Sequence, residues 1–310
     1  MLHRVLTIAL NTYREAVRAR ILHGLLGVAL ATCGYALVVG AYALKNQDRV
    51  VADLGAASIS AYAVVVAIVL GATSLYRELE LKTIFPILAR PIERWEYLLG
   101  KFFGTVLTLG VFVGVNSGMV LFALGSLTTR SLLASLLVPT AFFAAVFVVG
   151  WRVVRLRTWL PIPVAVLLLI GGAFWGRDAV SESAVVLGQA LLTMLEVSIV
   201  TAMTLVFAAF SSPFLTAVFS FSVFVVGRSA DTLARLPARV FGEGISELGK
   251  VLSHVFPNLM VYVPPRTLFT GEVAGSSYWP YVTVGAIQAG SWCVGLLLVA
   301  ALIFRRRDFL

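Results

Sequence analysis

Long uninterrupted runs of apolar residues constrain the fold of this chain more than any other feature of its sequence. The runs are about as long as a helix needs to cross a ~30 Å hydrocarbon layer, and charged residues gather between them. Only 13% of the 310 residues are charged, whereas roughly a quarter are charged in a soluble domain. Stretches such as 61–70 and 141–150 lack the alternation of a membrane β-strand. The sequence therefore predicts an all-α, polytopic helical bundle in a membrane.

Eight runs are candidates for membrane-spanning helices. They cover approximately residues 21–44, 54–75, 99–127, 132–150, 159–175, 184–210, 214–227 and 279–304. The runs 159–175 and 214–227 are short for a crossing and have prolines at their entrances, so re-entrant helices are an alternative for both. We therefore predict six to eight spans in a transmembrane domain over residues 21–310.

Residues 1–20 form a separate amphipathic segment. At ~100° per residue the polar side chains fall on one side and the apolar ones on the other. The polar side holds Arg4, Thr7, Asn11, Arg14, Glu15 and Arg18, and the apolar side holds Leu2, Val5, Leu6, Ala9, Tyr13, Ala16 and Val17. Such a helix with a cationic face is typical of the membrane interface. A helix packed on a partner protein is the alternative.

The distribution of Lys and Arg predicts the orientation. With the N-terminus in the cytoplasm, fifteen of these residues fall in cytoplasmic segments and nine in external ones. Both termini are then cytoplasmic and the loop 228–278 is external, whether the chain has six or eight spans. The net charge of +9 resides at the ends of the apolar runs, as in other membrane proteins, so we predict no nucleic-acid partner.

Two sets of residues inside the spans are candidates for special roles. Glu196 lies near the middle of its run, with Gln189 and Thr193 on neighbouring turns, and it belongs either to a translocation path or to an interhelical hydrogen bond made by a neutral carboxylic acid. Small residues let helices approach closely in lipid. The glycines at this spacing are Gly100, Gly104, Gly110, Gly114 and Gly118, which predict packing within the protomer or against a second copy.

The sequence shows no sign of a catalytic or metal site. No Gly-x-x-x-x-Gly-Lys-Ser/Thr phosphate loop occurs, because Gly100-Lys101 is followed by Phe102. The three histidines are scattered and form no His-Glu-x-x-His pair. We expect no enzyme activity, and no cofactor bound by this chain.

The charged loop 76–101 carries the most informative motifs. It contains Arg77-Glu78, Thr83, Leu88-Ala89-Arg90-Pro91 and Arg94…Gly100-Lys101. Further marks are Tyr13-Arg14-Glu15-Ala16 before the first span, Phe256-Pro257-Asn258-Leu259, and Phe304-Arg305-Arg306-Arg307-Asp308-Phe309 at the end. Together these marks resemble the ABC type 2 transporter permeases, especially the branch associated with maturation of copper enzymes such as nitrous-oxide reductase.

The resemblance implies a permease subunit of an ATP-driven exporter in a bacterial inner membrane. It implies that loop 76–101 is a coupling helix that docks on a separate ATPase, which holds ATP and Mg, and that the permease pairs with a second copy or a sister permease. The coupling residues would be Arg77, Glu78, Glu80, Lys82, Thr83, Arg90 and Arg94. Without the resemblance, solvated loop charges are the simpler interpretation. The functional alternatives are an ATP-independent channel or secondary transporter, and a membrane scaffold that holds an ATPase complex without transport.

Overall fold

The structure is a computed structural model that describes residues 2–43, 45–80, 93–128, 158–271 and 277–306, with isolated positions between 137 and 153; the side chains of 75–80 are outside the description. Helices account for most of these residues, and no strand occurs among them. The principal helices are α1 (Leu2–Arg18), α2 (Arg20–Tyr42), α3 (Gln47–Glu80), α4 (Arg94–Thr128), α5 (Pro161–Trp175), α6 (Val180–Ala208), α7 (Pro213–Arg228) and α12 (Tyr278–Arg306). Between α7 and α12 lie the shorter α8 (Ala230–Ala234), α9 (Ala238–Phe241), α10 (Glu243–Val255), a 3₁₀ turn (Met260–Tyr262) and α11 (Thr267–Thr270).

Five of the described helices are long and apolar enough to cross a membrane. They are α2, Gln47–Ser74 of α3, Arg94–Leu127 of α4, α6, and Tyr278–Arg305 of α12. In α3, α4 and α6, 67% of the most apolar window is buried, against 22% in α2 and α12. The first three therefore form the centre of the bundle and the other two its periphery. The prediction of a polytopic helical membrane protein is confirmed, while the predicted run 132–150 lies outside the described residues apart from isolated positions.

Contacts between helices fix their relative directions. Helices α3, α6 and α12 run one way, and α2, α4, α5 and α7 run the other. The pairs that establish this are Thr32–Tyr62, Gly40–Val51, Gly55–Val120, Ser74–Lys101, Ser60–Glu196, Gly71–Thr204, Gly188–Tyr278, Phe207–Phe219 and Gly118–Leu168. Neighbours in the bundle centre are thus antiparallel except for α3 and α6, which are parallel.

The two short apolar helices are each continuous, and they reach different depths. Helix α5 begins beside α1, where the rings of Trp159 and Tyr13 are 6.4 Å apart, and ends at Gly125 of α4. Its 15 residues make ~22 Å of helix, which is shorter than a ~30 Å crossing, and a re-entrant helix stays a prediction for this run. Helix α7 begins beside the end of α6 but ends at Arg228, level with Glu196. Its 16 residues make ~24 Å of helix, which falls short of a ~30 Å crossing.

The segment between α7 and α12 folds back on the bundle. It contains the amphipathic helix α10, which begins at Glu243. The chain then returns to the end of α7, where the Leu259 amide donates to the Gly227 carbonyl at 3.0 Å. Tyr262 is fully buried and donates to the Gly285 carbonyl of α12. Part of the predicted external loop is therefore packed between helices.

Candidate functional site

The centre of the bundle holds an ion pair between Glu196 of α6 and Arg228 of α7. Arg228 Nε donates to Glu196 Oε1 at 2.8 Å, and Nη2 donates to Oε2 at 3.1 Å. Ser60 of α3 joins both residues, since it accepts from Arg228 Nη2 at 2.9 Å and donates to Glu196 Oε2 at 3.2 Å. Three helices thus meet at one polar cluster, and the paired charge offsets the cost of burying each ion.

This cluster changes the interpretation of two residues. The sequence placed Arg228 in the external loop, whereas α7 ends inside the bundle and brings its last residue to Glu196. Glu196, for which a translocation path and an interhelical hydrogen bond were the alternatives, accepts hydrogen bonds from two other helices, and those from the Arg228 guanidinium are bidentate. Glu196 itself is fully buried, whereas the Arg228 side chain is 24% exposed.

Gln189 and Thr193 lie on the same helix, two turns and one turn before Glu196, respectively. Gln189 Nε2 donates to the Tyr262 carbonyl at 2.9 Å and approaches Thr193 Oγ1 at 3.5 Å. Burial raises the pKa of Tyr262, so its hydroxyl remains a donor to Gly285. Gln189 therefore ties α6 to the segment before α12.

A cavity of about 460 Å³ lies between α3, α6, α7 and residues 263–269. Apolar side chains form most of its wall, including Phe221, Phe224 and Phe269. Ser60 and Arg228, which both contact Glu196, form a polar patch that we call the inner end of the cavity, and Gln189 lines the cavity nearer Asp53. Glu196 does not line it but pairs with Arg228, which does.

The outer rim of this cavity carries a second arginine with carboxylate partners. Arg266 forms ion pairs with Asp53 of α3 and Glu182 of α6, and it also lines the cavity. Asp53 is 47% exposed and Glu182 14%. Burial alone would lower the pKa of Arg266, but the hydrogen bonds and charges of its two partners raise it. Arg266 therefore stays charged and bridges two helices above the cavity. We call this region the Arg266 end.

At the opposite end, α1 lies against the glycines that begin α4. A Cβ on Gly100 would stand 2.5 Å from Ile8 Cβ, and one on Gly104 would stand 2.6 Å from Thr12 Cβ. The other glycines face different helices: Gly114 and Gly118 contact α5, and Gly110 faces Met194 of α6 at 3.6 Å. The predicted glycine face is thus divided among three neighbours of the same chain. We call the region around Gly100 and Gly104 the α1 end.

Lys101 joins three helices at the α1 end. Its side chain is 1% exposed, and Nζ lies 3.7 Å from Glu15 Oε2 of α1 and donates to the Ser74 carbonyl of α3 at 3.4 Å. Two residues that precede Glu15 in the motif Tyr13-Arg14-Glu15-Ala16 also make contacts. Tyr13 is buried beside Trp159, and the Arg14 guanidinium lies 4.8 Å from the Trp159 ring centroid. Burial raises the pKa of Tyr13 to about 12. The four-residue motif before the first span therefore fastens α1 to α4 and α5.

Arg94, the first residue of α4, contacts the end of α12. Its Nη1 donates to the carbonyls of Phe304 at 2.9 Å and Arg305 at 2.8 Å. The rings of Tyr97 and Phe304 stack with centroids 6.1 Å apart. A cation is favoured beside the last carbonyls of a helix, which carry partial negative charge. This residue, predicted to couple to a partner, thus binds within its own chain.

The remaining predicted coupling residues cannot be placed in the same way. Arg77, Glu78 and Glu80 belong to the last turns of α3, with side chains outside the description, while Lys82, Thr83 and Arg90 lie outside the described residues. The two helices that flank the loop, α3 and α4, are nonetheless fixed at Ser74 and Lys101. The loop therefore leaves the bundle at the α1 end.

Several residues of these clusters were not singled out from the sequence. The sequence contained a signal for the pairing of Arg228. A buried carboxylate needs a cation, and a short helix after Pro213 cannot carry Arg228 across a whole bilayer. The sequence contained no such signal for Ser60 or for the bridge made by Arg266, since both contacts depend on how distant segments meet. Asn258 had only its place in a motif, and it donates to Asp231 at 2.8 Å.

Comparison with known proteins agrees with this architecture. A search of curated proteins found no match. Residues 6–309 match the sequence model of a family described as ABC-2 family transporter protein, which is nearly the whole chain. The chain therefore belongs to the ABC-2 transporter family, as a multi-pass permease of an ABC transporter.

Proposed function

We propose that this permease is the membrane subunit of an ATP-driven exporter, and that loop 76–101 docks on a separate ATPase subunit that binds ATP and Mg. Movement of the ATPase would displace the loop, and the loop would displace helices. The cavity beside Arg228 would be part of the path that the substrate takes.

The observation that carries the proposal is the joining of four helices where the loop leaves the bundle. Lys101 contacts α1 and α3, and Arg94 contacts α12, so both sides of the loop are tied to other parts of the bundle. A force on loop 76–101 would reach α1, α3, α4 and α12 together. A loop of merely solvated charges would need no such attachment.

Co-purification tests the partner. The tagged chain, extracted from its native membrane, should bring down a subunit with a phosphate-binding loop, and Glu78→Ala combined with Glu80→Ala should reduce its yield at least tenfold. Glu247→Ala is the matched control, because Glu247 is an exposed glutamate of α10 and does not belong to the loop. An assembly without an ATPase, unchanged by the double substitution, would contradict the proposal.

The orientation and the assembly belong to the same proposal. We expect both termini in the cytoplasm of a bacterial cell, with the α1 end inside and the Arg266 end outside, and a dimer formed with a second copy or a sister permease. Cysteine labelling from outside should modify a cysteine placed at Glu247 but not one placed at Thr7, since both residues are exposed. The resemblance to the copper-enzyme-maturation branch stays a prediction, and no cargo follows from it.

Measurement of substrate transport distinguishes the exporter from a scaffold without transport. If the ATPase co-purifies but its hydrolysis is never accompanied by movement of a substrate across vesicles, the scaffold replaces the exporter. A channel or secondary transporter would instead move substrate without any ATPase bound.

A further inference from the structure

The cavity between α3 and α7 has different chemistry along its walls and at its inner end. We propose that it binds an amphiphile whose head group carries oxygen acceptors, with the head on Arg228 and the apolar tail between α3 and α7. That this ligand is the exported cargo rests on the proposed function, whereas the binding site itself does not.

Arg228 supplies the donors for the head group. A guanidinium has five N–H groups, and in Arg228 those of Nε and Nη2 are directed to Glu196 and Ser60. No described residue accepts from Nη1, which leaves two donors on a side chain that lines the cavity. The Arg228 side chain is 24% exposed, so these donors are open to a ligand in the cavity. An oxygen-bearing head group at the inner end of the cavity would satisfy both donors.

The walls suit an apolar tail. Ala57, Ala61 and Val65 follow one another every fourth residue along α3 and leave a shallow exposed strip that lines the cavity. Phe221 and Phe224 of α7 line the same cavity. Its volume of about 460 Å³ lies within the ~300–1,000 Å³ of known small-molecule sites. A chain of about ten to twelve methylene groups would bury itself on these surfaces.

The charges exclude a cationic head group. Arg228 stands between the cavity and Glu196, because Arg228 lines the cavity and Glu196 does not. Asp53 and Glu182 at the rim are occupied by Arg266. A quaternary ammonium would therefore meet a guanidinium at the inner end with no carboxylate directed to it. A carboxylate, phosphate or carbonyl head group would meet donors.

Binding to the full chain in phosphatidylcholine nanodiscs tests the proposal, with radiolabelled dodecanoate as the probe and empty nanodiscs subtracted. We expect saturable binding that dodecyltrimethylammonium displaces at least tenfold less effectively than unlabelled dodecanoate. Acetate, which has the head group without the tail, should not displace the probe. Equal displacement by the cationic amphiphile, or full displacement by acetate at matched concentration, would overturn the proposal.

Two substitutions locate the binding. Ala61→Phe fills the cavity wall and should reduce dodecanoate binding at least tenfold, while Ala31→Phe on the exposed side of α2 should leave it unchanged. Arg228→Lys should lower the affinity for dodecanoate at least tenfold. If that variant does not fold, Ala61→Phe alone decides, and wild-type binding by it would overturn the proposal.

Nanodiscs with phosphatidylglycerol distinguish the source of the ligand. Loss of dodecanoate binding would assign the site to a membrane phospholipid, and unchanged binding would assign it to a free amphiphile; both results support the proposed chemistry. The failure of the binding experiment and the failure of the proposed function are separable, because ATPase co-purification tests the loop at the other end of the bundle.

Discussion

The α1 end and the Arg266 end of the bundle are held together by different interactions. At the α1 end, helices approach at Gly100 and Gly104, and polar contacts of Lys101 and Arg94 lie between them. At the Arg266 end, α3, α6 and α7 surround a cavity, and arginine–carboxylate contacts join the helices that border it. Close packing resists deformation, whereas a few ion pairs can separate and re-form. The comparison teaches that the α1 end is suited to move as a unit and the Arg266 end to open.

The largest effect should come from the ion pair at the inner end of the cavity. Glu196→Leu leaves Arg228 charged among apolar residues, and removal of one partner of a buried pair costs about 3–5 kcal/mol. Thermal unfolding of the purified protein measures the loss. The double substitution Glu196→Leu with Arg228→Leu should recover much of it, because no ion is left unpaired. A Glu196→Leu variant with unchanged stability and full transport would refute a role for the pair.

A smaller but still large effect should follow from filling the contact between α1 and α4. Gly104→Val places a branched side chain against Thr12 and should cost up to about 3 kcal/mol, as overpacking does. Gly24→Val is the control, since nothing lies within 4 Å of a Cβ built on Gly24. Hydrogen exchange of the α1 amides measures whether α1 stays packed against α4, and the amides should exchange faster in the Gly104→Val variant. Equal behaviour of the two variants would show that the α1 end is not closely packed.

Loss of the contact between α4 and α12 should be milder. Arg94→Ala removes two hydrogen bonds from a cation to the carbonyls of Phe304 and Arg305, for about 1–2 kcal/mol, because water can replace part of the interaction. Amide exchange in the last turns of α12 should speed up while that of α2 stays the same. Arg94→Lys should retain part of the protection, and full protection in Arg94→Ala would contradict a link between these helices.

The smallest effect on stability should come from the rim. Asp53→Ala should cost about 0.2–1 kcal/mol, since Asp53 is half-exposed, exposed ion pairs contribute little and Arg266 keeps its pair with Glu182. It should nevertheless widen access to the cavity, so that a cysteine at Ala57 reacts faster with a thiol reagent. Arg49→Ala, which removes a more exposed contact with the same Asp53, is the control. Equal reaction rates in the two variants would mean that the pair of Arg266 with Asp53 does not hold the Arg266 end closed.

The sequence predicted the helices well because apolar runs and helix length are local properties. It placed the ends of α2 within two residues, and its glycine spacing identified a surface that packs. It misplaced Arg228, because counting charges at the ends of runs assumes that each run crosses the membrane completely. It also did not reveal that Arg94 binds a carbonyl 210 residues further along the chain. Contacts at such separations depend on the tertiary arrangement, which local patterns do not contain.

The contact of Arg94 with Phe304 has a consequence for biosynthesis. At ~5–20 residues per second, a ribosome needs about 10–40 s to make the 210 residues that separate them. During that interval Arg94 has no carbonyls of α12 to bind. The α1 end is therefore completed only after the last helix has emerged. A newly made chain would become competent to bind an ATPase late, once its synthesis has reached the final residues.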